Sequence, residues 1–174
     1  MELLFLLVLP AALWAQSWYF LGLYNNPRTL GIISATVALT LGGLVVFGGA
    51  SANPAISGLI LVWAVYAAIV ASVALWGFDE RTLGFYALFL SLISLLYVAY
   101  YFLGGDVLGS GTAGVESSVM GISSLLLTVI AALVFFYLGA PFARMRQSTG
   151  WFELVLSVII AVLGGLVLLG LSLD

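Results

Sequence analysis

Six stretches of roughly 20 apolar residues, joined by short polar turns, decide most of what this chain can fold into. Their approximate limits are Leu3–Tyr24, Pro27–Phe47, Ala55–Trp76, Thr82–Leu103, Ser117–Leu138 and Thr149–Leu171. Each is long enough to cross a bilayer as a helix. A transmembrane β-barrel does not fit, because the runs are too long and lack period-two alternation. Only 6% of the 174 residues are charged, against about 25% in an ordinary soluble domain. So few charges cannot cover a soluble surface of this size. The expected fold is all-α: a polytopic bundle of six transmembrane helices, forming a single domain over residues 1–174.

The charges sort by side. Arg28 lies between the first and second runs, Arg81 between the third and fourth, and Arg144 and Arg146 between the fifth and sixth. The opposite side carries Glu2, Asp106, Glu116 and Asp174 and no basic residue. The positive-inside rule then places the odd-to-even turns in the cytoplasm and both termini on the outer side of the plasma membrane. Leu3–Leu9 could serve as the apolar part of a signal peptide, but Glu2 stands where such a peptide needs positive charge, so the first helix is expected to be retained. Four arginines cannot form a basic stripe, which excludes nucleic-acid binding. The chain has no cysteine and no histidine, so thiol chemistry, Cys/His metal sites and histidine acid–base catalysis are excluded. No paired intramembrane carboxylates and no glycine-rich phosphate loop are present. Nothing in the sequence points to an enzyme, a metal or a cofactor; the evident partners are membrane lipids.

An internal repeat surrounds the arginine-bearing turns. The first copy reads Phe20-Leu21-Gly22, then Arg28-Thr29-Leu30-Gly31; the second reads Leu75-Trp76-Gly77, then Arg81-Thr82-Leu83-Gly84; the third reads Tyr137-Leu138-Gly139, then Arg146, Thr149 and Gly150. Helix chemistry explains part of this: Gly closes helices, Thr or Asn opens them, and Asn26-Pro27 and Asn53-Pro54 are cap-plus-proline starts. Local chemistry does not require Arg-Thr-Leu-Gly twice. Three like-oriented helical hairpins with pseudo-threefold symmetry are therefore expected, with a solute path near their common axis.

Few residues carry chemical character. Trp63 and Tyr66 share a face in the middle of the third helix, away from the interface that such residues prefer. They read either as packing or as a narrow aromatic neck. Glu153 is the single acid within an apolar run; it reads as a shallow group favoured by the dipole at the start of the sixth helix, or as a path residue. Asp79, Glu80 and Arg81 read as a capped, ion-paired turn or as a latch at the cytoplasmic mouth. Gln16 and Ser17 can make polar contacts inside the bundle. Gly42, Gly43, Gly48, Gly49, Gly164, Gly165 and Gly170 suggest close helix approach.

The run from Gly77 to Phe89, with Gly77, Asp79, Arg81, Tyr86, Leu88 and Phe89, resembles the turn between the third and fourth helices of the urea and short-chain-amide channel family (AmiS/UreI). Asn26-Pro27-Arg28-Thr29 is similar to that family's first cytoplasmic turn. Helix number and outward termini also agree. The resemblance implies a passive channel for a small neutral solute, assembled as a homohexamer with one pore in each subunit. It implies a pore constriction at Trp63 and Tyr66, an outer pore lined by Leu3 and Leu6, and a path residue at Glu153. The chain departs from the family in its fifth helix, which has Phe135, Phe136 and Tyr137 but no tryptophan, and in having no histidine to respond to protonation near neutral pH. Two alternatives stay open: a non-catalytic subunit of a larger membrane complex, similar to the J-type subunit of respiratory complex I, and a proton-coupled carrier for a small monocarboxylate.

Overall fold

The computed structural model describes residues 2–23, 26–47, 54–107, 115–140 and 142–170. It is all-helical: α1 (Glu2–Leu21), α2 (Pro27–Phe47), α3 (Pro54–Trp76), α4 (Glu80–Val107), α5 (Val115–Val134), a π-helical turn (Phe135–Gly139), a short 3-10 turn (Ala143–Met145) and α6 (Arg146–Leu168). Among the described residues, six helices are long and apolar enough to cross a membrane. The chain is a multi-pass membrane protein.

Each helix packs on its neighbour in sequence, and α6 packs on α1, so the bundle closes into a ring. The odd helices are the inner ones. Burial within the α1, α3 and α5 spans is 56, 44 and 50%, against 28, 33 and 22% for α2, α4 and α6. The closest packing is not within the three expected hairpins but between them, in the pairs α2–α3, α4–α5 and α6–α1.

The reason lies in the repeat itself. A Cβ added to Gly31 would fall 2.5 Å from Leu75 Cγ, and one added to Gly150 would fall 2.9 Å from Leu21 Cγ. One added to Gly84 would overlap the backbone of Gly139 and Leu138. Each repeat's Gly thus receives the end of the odd helix in the next repeat, and the third repeat hands back to the first. Absence of a side chain lets backbones approach at those points, which draws the hairpins together at the arginine end. The glycines singled out from the sequence mostly do something else. Gly164 is closely packed, with Leu6 Cβ 2.8 Å from its added Cβ, but Gly42 and Gly165 have nothing within 4 Å, and Gly43 meets only Phe47 of its own helix at 3.9 Å. Gly48 and Gly49 lie outside the described residues. Gly170 follows the end of α6 with a φ of 69°.

The helix ends correct several expected boundaries. α1 stops at Leu21 because Gly22 takes a φ of 73°; Gly22 N–H donates to the Tyr19 carbonyl and Leu23 N–H to that of Trp18, at 3.1 and 3.2 Å. That is the double-bonded glycine cap. Gly77, with a φ of 70°, closes α3 with one bond to the Val73 carbonyl at 2.9 Å. The third repeat ends differently: Gly139 is pressed against Gly84, and α5 finishes in the π turn, with Ala140 N–H donating to the Phe135 carbonyl at 3.0 Å.

α2 starts at Pro27 as expected, whereas α4 and α6 start before Thr82 and Thr149. Asn26 Oδ1 accepts from Arg28 N–H at 3.0 Å, and Asp79 Oδ1 accepts from Arg81 N–H at 3.0 Å. These are matching N-caps that start α2 at Pro27 and α4 at Glu80. α6 begins at Arg146, after the 3-10 turn, and Thr149 sits buried one turn inside it. α4 also outruns its expected end at Leu103, continuing through Gly104 and Gly105 to Val107.

Candidate functional site

At the arginine end a cavity of about 290 Å³ opens into the bundle. Tyr19, Pro27, Gly77, Phe78 and Glu80 line its mouth, and Gln16 and Val70 are the deepest positions that α1 and α3 contribute. Glu80 and Arg146 stand at this end with opposite charges that both act on Tyr19 and Tyr137. Arg146 Nε donates to the Phe20 carbonyl at 3.0 Å and its guanidinium reaches the Tyr19 carbonyl at 3.4 Å. It therefore occupies the Phe20 carbonyl and adds a second donor to the Tyr19 carbonyl that Gly22 already bonds.

Behind Gln16 the interior is polar for one helical turn. Tyr66 lies one turn beyond Val70 on α3 and is 2% exposed; Gln16 is also 2% exposed. Gln16 Nε2 lies 2.9 Å from Tyr66 Oη, and Gln16 Oε1 lies 3.1 Å from the same oxygen. The Tyr66 hydroxyl therefore faces both ends of one carboxamide. Tyr66 meets the edge of Trp63 with ring centroids 5.3 Å apart and planes at 68°. Trp63 is fully buried, and its Nε1 donates to Ser94 Oγ of α4 at 3.2 Å. The two central rings of α3 thus point into the bundle, not into lipid.

Glu153 is fully buried, and among the described residues neither carboxyl oxygen has a hydrogen-bond partner. The expectation of a shallow acid fails because α6 starts three residues earlier than Thr149. Glu153 is the eighth residue of α6, about 10 Å along the axis at 1.5 Å per residue, beyond the first turn where the dipole acts. Ser34 occupies the matching place in α2, three residues after Gly31, and its hydroxyl is likewise buried without a partner. Ser123 and Ser124 of α5 share that condition.

Beyond Trp63 the interior turns apolar. Leu6, Leu9, Leu59, Ile60 and Leu90 are buried side by side in the core. Leu6 lies in this packed half, whereas Leu3 is half-buried at the end of α1. The turn residues serve structure: Gly77 closes α3, Asp79 caps α4 in place of an ion pair, Arg81 is exposed, and the Tyr86 hydroxyl donates to the Val62 carbonyl at 2.9 Å, tying α4 to α3. Among the described residues no group of three acidic, His or Cys side chains converges to hold a metal.

A sequence reading could place Trp63, Tyr66 and Glu153 in the interior but not Gln16 opposite Tyr66. The signal was present as a carboxamide inside an apolar run. Its partner is 50 residues away and needs the α1–α3 contact to be known.

Fold and site together define a polytopic six-helix membrane protein with a polar cluster buried at the end of an open vestibule. Comparison with protein families, curated proteins and solved structures gives no match.

Proposed function

We propose that this chain is a passive membrane channel for a small neutral polar solute of the urea or short-chain-amide type. The observation that carries this reading is the vestibule that leads to buried hydrogen-bonding groups, one of which, Glu153, has neither oxygen partnered. Each unsatisfied buried group costs about 1–3 kcal/mol, and more for a charged one. A solute rich in N–H donors satisfies such acceptors as it passes and so loses less on leaving water. The resemblance to urea and amide channels supports the same solute class and adds a homohexamer with a pore in each subunit. The four arginines support a plasma-membrane orientation with the vestibule cytoplasmic and both termini outward. Trp63 and Tyr66 form the constriction in this reading, and the leucines beyond them, Leu6 included, must part for flow toward Leu3. Liposomes carrying the protein should reswell faster than empty ones with urea or acetamide outside. Equal rates for every small amide would remove the reading.

A proton-coupled carrier for a small monocarboxylate is the second reading, and the depth of Glu153 favours it. In that case a pH gradient drives acetate accumulation, and Glu153→Gln abolishes the coupling while leaving downhill flux.

A further inference from the structure

We infer that the Gln16 side chain is a tethered stand-in for the solute, holding the Tyr66 hydroxyl until a free primary amide takes its place. The inference rests on the channel reading above and names the step that opens its path. Three observations carry it.

First, Gln16 and Tyr66 meet through one complete carboxamide, with the nitrogen at 2.9 Å and the oxygen at 3.1 Å from a single hydroxyl. The end of a glutamine side chain is chemically an acetamide. A site that accommodates it has the width, the planarity and the donor–acceptor pattern for a free primary amide.

Second, the bond stands at the deep end of the vestibule, where Gln16 contributes to the lining. A solute entering from that side reaches Gln16 before Tyr66. Release of the carboxamide is what exposes the hydroxyl.

Third, Glu153 is buried, and among the described residues neither of its oxygens has a hydrogen-bond partner. A primary amide bound to the Tyr66 hydroxyl through its carbonyl still has two N–H groups to donate, and an unpartnered carboxyl oxygen can accept one of them. Gln16 is held from α1, whereas a free amide is at liberty to turn its nitrogen toward α6. That difference favours exchange. A polyol of similar size offers hydroxyls but no planar carbonyl-plus-amine edge, so it replaces Gln16 less well.

A tethered competitor raises the apparent dissociation constant in inverse proportion to the fraction of time it leaves the site free. Removing it should therefore tighten amide binding without creating a new contact.

The test uses the full chain in liposomes and in detergent, with acetamide as probe and glycerol as control. Gln16→Ala should reach half-maximal acetamide flux at a concentration about tenfold lower than wild type, with glycerol flux changed far less. In detergent, acetamide should raise the melting temperature of Gln16→Ala more than that of wild type, and Tyr66→Phe should remove the effect. Gln16→Ser, which also vacates the carboxamide's place, replaces the alanine variant if that one fails to fold. An unchanged half-saturation, a parallel rise of acetamide and glycerol flux, or equal acetamide stabilisation of wild type and variant overturns the inference. If wild type and variants carry no solute but acetamide still stabilises Gln16→Ala selectively, the binding inference stands and the channel reading falls. If wild type conducts amides and the variants match it in both assays, the reverse holds.

Discussion

Gly84 of α4 lies against the backbone of Gly139 so closely that a single methyl group on it would overlap the Gly139 nitrogen. Gly31 against Leu75 and Gly150 against Leu21 are the same contact in the other two repeats, except that flexible leucine side chains stand opposite. Overpacking a closed contact costs about 1–3 kcal/mol. Gly84→Ala should be the most destabilising of the three alanine substitutions, because backbone cannot swing aside as a leucine tip can. Thermal melting of the detergent-solubilised variants checks the order. A mild effect at Gly84 with a severe one at Gly31 would contradict the account of how the hairpins are held together.

Glycines elsewhere separate by conformation and not by number. Gly22 and Gly77 sit at φ of 73° and 70°, where a Cβ costs about 1–2 kcal/mol. Gly42 and Gly165 are helical and have open space around them. Gly22→Ala and Gly77→Ala should lower stability, whereas Gly42→Ala and Gly165→Ala should be neutral or raise it by about 0.5–1 kcal/mol. The same melting series reads both pairs.

The caps give a paired test of the repeat. Asn26→Ala and Asp79→Ala each remove one side-chain acceptor from an equivalent backbone N–H. Each should cost about 1 kcal/mol, with Asp79→Asn largely spared. Unequal losses would mean that one turn has a further role, as the latch reading of Asp79, Glu80 and Arg81 requires.

Glu153 should show stability and function pulling apart. Glu153→Met removes a buried, unpartnered carboxyl group and should raise stability by about 1–3 kcal/mol, while lowering amide flux in liposomes. Loss of stability on this substitution would show that the carboxyl group has a partner which holds the bundle together.

Arg146 holds the end of α1 through the Tyr19 and Phe20 carbonyls. Arg146→Ala should loosen this end, seen as faster amide hydrogen exchange at residues 19–23. Lys should restore it only in part, since an ammonium lacks the fork that spans two carbonyls. Unchanged exchange in the alanine variant would assign the capping of α1 to the Gly22 turn alone.

Six apolar runs and so few charges left a membrane helix bundle as the only economical fold, because a backbone in lipid must satisfy its own hydrogen bonds. The repeat was also legible, since Arg-Thr-Leu-Gly recurs as written letters, and so was the shared face of Trp63 and Tyr66, which follows from spacing on one helix; that this face points inward was decided by packing. What the repeat's glycines do was not legible. Gly31, Gly84 and Gly150 look like helix-start residues until the neighbouring hairpin is seen to end on them. The depth of Glu153 depended on where α6 begins, which a 3-10 turn sets and no single cap residue announces. The bond between Gln16 and Tyr66 and the isolation of the Glu153 carboxyl group are relations between helices. Composition and period act along one segment; which polar groups find partners is fixed only when the segments pack.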